Sequence, residues 1–142
     1  MQNRTAILLT ILIISFASQA MMGQNEPQSA GGDSLVIVWT SDDPYLAERM
    51  VLMYTHAAKT AGWFDHVTLI IWGPSAKLTA ENLKIRDKLA AMLEDGVVIE
   101  ACIVCANAYD VTGDLKDLGF DVKGMGKPLS DYLKSGKTVL TF

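Results

Sequence analysis

Apolar residues along this chain fall into short, β-branched runs separated by amphipathic stretches. Positions 35–40, 67–72 and 97–101 are almost continuously apolar, as expected of strands covered on both faces. Shorter runs at 120–123 and 137–142 read as two further strands. Between them the apolar spacing shifts to the helical period. It predicts helices over 44–61, 79–94, 103–109, 112–118 and 128–134. Asp42, Asp43 and Pro44 supply a cap and a first-turn proline for the first helix, and Gly62 supplies its stop. Its inward stripe is expected at Leu46, Met50, Met53, Ala57 and Ala61. The second helix is expected to turn Ile85, Leu89, Met92 and Leu93 inward and to end at Asp95 and Gly96.

Five strands alternating with helices are the pattern of a parallel sheet with helices on both faces, an α/β fold. In such sheets ligands collect at the carboxyl ends of the strands, near the point where strand order reverses. Those ends supply the candidate ligand pocket. The first two strands contribute Ser41, Asp42, Trp72, Gly73, Pro74 and Ser75. Tyr109 and Met125 come from farther along the chain. Asp42 and Asp43 already have a capping task, and Trp39 is expected in the core.

The same edge holds the two cysteines of the chain, Cys102 and Cys105, where the third strand hands over to a helix. Thiols three positions apart can reach one another, and a helix N-terminus favours thiolate over thiol. Burial beside Ala101, Ile103 and Val104 opposes ionisation. No Lys, Arg or His lies within five residues to assist it. The pair closes too small a loop to stabilise the fold much as a disulfide, so a reactive pair is the stronger reading. A zinc site from both cysteines with His56 and His66 is disfavoured, because neither histidine falls on the carboxyl edge. No metal and no cofactor is expected, and no Walker loop or dinucleotide fingerprint is present.

The 142 residues suit a single domain. Positions 1–20 read as a cleaved signal peptide: Arg4, an apolar run over 6–16, and small residues at Ser18 and Ala20. That run is shorter than the roughly 20 residues of a spanning helix. Positions 21–34 read as a polar, flexible linker, and 35–142 as the folded domain. Without the leader, 11 basic and 16 acidic residues remain, a net charge of −5. That surface disfavours nucleic acid and anionic lipid. The expected location is exported, in the periplasm, with no stable membrane insertion.

Several motifs occur in a telling order: Trp72-Gly73-Pro74-Ser75, then Cys102 through Val111, then Leu118-Gly119, then Met125 through Leu129. Together they resemble the DsrE/DsrF-like family of the DsrEFH superfamily, over essentially all of 35–142. The resemblance implies a three-layer α/β/α fold around a mostly parallel five-stranded sheet, with flavodoxin-like layering. It also implies homo-oligomers, commonly trimers or hexamers, and a sulfur donor or acceptor protein as partner. In sulfur-relay branches a cysteine after the third strand carries a persulfide. It lies nine residues before the valine of a Gly-Val step, and Cys102 stands nine before Val111. Cys102 then accepts sulfur, and Cys105 resolves or protects it.

Two departures stand out. Ala108-Tyr109-Asp110 stand where relay subunits carry arginines before the Gly-Val step, with Asp110 in place of the glycine itself, and the expected export contrasts with the cytosolic location of the best-understood relays. The expected function is binding or relay of sulfane sulfur, as a carrier more than a turnover enzyme. Thiol–disulfide exchange by the same pair and a ligand-binding or structural oligomer with inert cysteines are the alternatives.

Overall fold

The computed structural model describes residues 33–142. The leader and nearly all of the linker lie outside the described residues. Strand β1 (Ser34–Trp39) is followed by α1 (Pro44–Leu46), a π-helical turn (Ala47–Val51) and α2 (Leu52–Thr60). Next come β2 (His66–Ile71), α3 (Ser75–Glu81), α4 (Leu83–Glu94), β3 (Val98–Cys102) and α5 (Ile103–Ala108). The chain continues through α6 (Thr112–Asp117), β4 (Asp121–Lys123), α7 (Gly126–Lys134) and β5 (Thr138–Thr141).

The strands form one five-stranded sheet, every pair parallel, in the order β4-β3-β2-β1-β5. The α/β class expected from the sequence is therefore the observed one. From β1 to β4 each strand is laid beside the last, so right-handed crossovers place α1 to α6 on one face. β5 returns to the other side of β1, and its crossover helix α7 falls on the opposite face.

The period-2 alternation of each strand divides the core in two. Leu35, Ile37, Trp39, Leu69, Ile71 and Ile99 pack under the large helical layer, with Leu52, Ile85, Leu89, Met92 and Leu115. Val36, Val38, Ile70 and Cys102 point the other way, towards Met125 at the start of α7 and Leu129 and Tyr132 within it.

Two helical details differ from the sequence reading. The first helix turns in Ala47, Val51, Leu52, Thr55 and Ala58, while Met50 and Met53 are exposed. Small residues let this helix lie close to the sheet, and the π turn widens the spiral so that Val51 and Leu52 both face inward. Thr55 tolerates full burial because its hydroxyl donates to the Val51 carbonyl at 2.6 Å.

The helix expected over 79–94 is two helices. Asn82 takes an extended backbone (φ −107°, ψ 104°), and its Oδ1 accepts the Ile85 N–H at 3.2 Å. A good N-cap residue inside a helical pattern restarted the helix rather than continuing it. The earlier piece, α3, begins at Ser75, immediately after the β2 turn.

Candidate functional site: a vicinal thiol pair beside an apolar cavity

β3 ends on Cys102, which is also the N-cap position of α5, with extended backbone (φ −74°, ψ 111°). One helical turn later, Cys105 comes back beside it. Both cysteines are free thiols, and the Cys105 S–H donates to the Cys102 sulfur.

Their surroundings differ. Cys102 is only 4% exposed, packed among Val36, Val38, Ile70 and Met125. Cys105 is half-buried on the rim of the same cluster. Cys102, the sulfur acceptor that the resemblance implies, is thus the more covered of the two. Cys102 projects from the strand onto the sheet face that α7 covers, while Cys105 sits one turn out, on the helix.

Burial pushes the Cys105 thiol above its ordinary ionisation range, and its hydrogen bond to Cys102 pushes it further. The Gly73 backbone N–H, donated towards the sulfur, works in the opposite direction. Gly73 presents that N–H from a left-handed backbone (φ 71°) open to glycine at little cost.

A cation does reach this region of the sheet, although none lies near in sequence. Lys123 on β4 stands opposite Cys102 in the sheet register. Its ammonium group donates to Glu100 Oε1 at 2.7 Å and also to Asp121. Those two carboxylates hold Lys123 protonated far above its usual range, so its charge answers them rather than the thiols. Glu100 is almost fully buried, and Tyr132 on α7 donates to the same Oε1 at 3.0 Å. Burial, then the bond to Glu100, raises the Tyr132 phenol and keeps it neutral. A lone carboxylate in an apolar strand was the available signal for a buried polar cluster.

The expected pocket residues separate. Trp72 lines a cavity of about 440 Å³ between α7 and the ends of β1 and β5, beside Val38, Leu129 and Val139. Met125 is buried against Cys102, and Gly73 faces Cys105. Ser75 is fully buried as a clasp. Its hydroxyl donates to the Trp39 carbonyl at 2.7 Å and accepts the Trp72 N–H at 3.0 Å, tying the ends of β1 and β2 together.

Ser41 accepts the Asp43 N–H at 3.0 Å, and Asp43, not Asp42, caps α1 through its carboxylate. Ser41, Asp42, Pro74 and Tyr109 are not among the residues lining the cavity. The wall contributed by α7 and β5 was missed in the sequence. Leu129 and Leu133, one turn apart, were its signal, but only the sheet order shows what they face.

The backbone at Asp110 is left-handed (φ 57°), the conformation a glycine adopts most easily. His56 contacts Asp95, whereas His66 opens β2 at the opposite end of the sheet. Among the described residues, no three His, Cys, Asp or Glu side chains converge as a metal site would require. No helix of the described residues is long and apolar enough to cross a membrane.

Fold and site together define a parallel α/β protein with a vicinal dithiol on the carboxyl edge of its sheet. No family model matches the chain, and no curated protein does. Among solved structures it is similar to the conserved protein of unknown function BT1422 from Bacteroides thetaiotaomicron. Identity is 37% and the TM-score is 0.76, over 81% of this chain and 98% of that one. The chain belongs to the same family as that protein.

Proposed function

We propose that this protein is a small exported sulfur carrier of the DsrE/DsrF-like kind, which takes up sulfane sulfur as a cysteine persulfide. The contact between the two free sulfurs at the sheet's carboxyl edge carries this reading. The left-handed Asp110, standing where relay proteins have glycine, supports it.

The burial of Cys102 favours the opposite order of roles from the resemblance, with the more exposed Cys105 as the entry thiol. Its thiolate attacks the outer sulfur of a persulfide donor, the donor's S–S bond breaks, and the donor leaves as a thiol carrying the proton. Attack by Cys102 on Cys105 Sγ would then release the carried sulfur as sulfide and leave a disulfide. The same geometry makes thiol–disulfide exchange the second reading, because a pair already in contact needs little movement to close.

Export to the periplasm and assembly as a trimer or hexamer with a donor or acceptor protein belong to this proposal. Incubating the reduced protein with inorganic polysulfide and reading its intact mass provides the test. The expected product is heavier by one sulfur atom and reverts with reductant. An unchanged mass would sink the carrier.

A further inference from the structure

The cavity between α7 and the sheet has the size of a small-molecule site. It lies where the strand order reverses, since β1 has β2 on one side and β5 on the other. Open parallel sheets take their ligands at that point. No charged side chain lines it. Leu129 and Leu133 form one wall, Val38 and Val139 the floor, and the Trp72 indole one end.

This cavity borders the apolar cluster that holds the thiols. Val38, Trp72, Leu129 and Val139 belong to the apolar cluster that also contains Cys102 and Cys105. The link is a single residue. Trp72 lines the cavity, and Gly73 directs its N–H at the Cys105 sulfur. Consecutive residues are about 3.8 Å apart. A molecule with its apolar part against Trp72 therefore extends its other end to the accessible thiol.

We propose that this cavity binds the uncharged, apolar organic group of the sulfur donor, so that among organic donors the protein draws sulfur from alkyl or aryl hydropersulfides rather than from those whose organic group is charged. The inference rests on the persulfide reading above and names its substrate class. In the step, Cys105 attacks the outer sulfur of R–S–S–H. The R–S to sulfur bond breaks, the new Cys105 S–S bond forms, and R–S⁻ leaves and takes up the proton lost by Cys105. No outside oxidant is needed. A carboxylate on the donor would enter an apolar wall without a partner. Lys123, on the same sheet face, already binds Glu100 and Asp121.

Octyl methyl sulfide, which keeps the chain but cannot donate sulfur, isolates binding from chemistry. Titrated into reduced protein, it should give a saturable tryptophan fluorescence change that is absent in Trp72→Phe. Leu133→Asp should weaken binding at least about tenfold, the worth of two buried methylenes. Leu133 is 59% exposed, so that variant should fold. Thr141→Asp, exposed on the opposite wall, gives an independent check with the same expectation. In the second arm, octyl hydropersulfide should load Cys105 at least about tenfold faster than glutathione hydropersulfide, for the same burial reason. No saturable binding, or equal loading by both donors, overturns the substrate assignment and leaves the carrier function standing. Loading by neither donor, with the sulfide still bound, overturns the carrier function and this assignment with it.

Discussion

At the scale of single residues, the chemistry depends on which sulfur meets solvent. Both cysteines and their strand-to-helix setting were legible in the sequence, because a CxxC at the end of an apolar run has few other placements. Their order of exposure was not, since Cys102 is covered by Met125 and α7, more than twenty residues farther on. The same holds for Lys123, whose approach to this region depends on strand pairing. Burial and the bond to Cys102 keep Cys105 protonated beyond the ordinary thiol range. Because only the thiolate reacts, alkylation of the folded protein should be slow at neutral pH and still accelerating above about pH 9. Cys105 should be modified first. Peptide mapping after timed iodoacetamide treatment measures both, and a plateau below pH 8 or prior labelling of Cys102 would contradict the assignment.

At the scale of elements, the strands and helices fall within a residue or two of the sequence reading except where a polar side chain redirects the backbone. Asn82 split a helix by capping the next one, and Ser75 began α3 four residues before the expected start. Such side chains compete with the regular ladder, which hydrophobic periodicity does not register. Ser75 also fixes the β2 turn that carries Trp72 and Gly73. Ser75→Ala removes a buried donor to the Trp39 carbonyl and should cost about 1–3 kcal/mol, read by urea unfolding. A loss below a few tenths would show that the clasp contributes little.

A second test at this scale concerns the link from β3 to β4 and α7. Removing one partner of a buried ion pair costs about 3–5 kcal/mol. Lys123 is about one-third exposed and Tyr132 still donates to Glu100, so Lys123→Met should cost about 2 kcal/mol. Asp121→Asn, at the exposed end, should cost less than about 1 kcal/mol. The reverse ranking in denaturant melts would mean that Glu100 is not stabilised by Lys123.

At the scale of the whole molecule, five parallel strands with one returning beside the first leave the two faces unequally covered. Six helices and the π turn pack on one face and α7 alone on the other. The class of fold was legible because alternating strands and helices admit few parallel arrangements. The position of β5 was not, since strand spacing carries no information about which neighbour a strand joins. That placement matters most for function. It brings α7 over the thiol pair and opens the cavity beside Trp72.

The central claim, that Cys105 is the entry point for sulfur and Cys102 its covered partner, is tested most directly by loading single-cysteine variants with polysulfide and weighing them. Cys102→Ser should still gain one sulfur atom, and Cys105→Ser should gain none. A sulfur adduct on Cys105→Ser, with none on Cys102→Ser, would contradict the account.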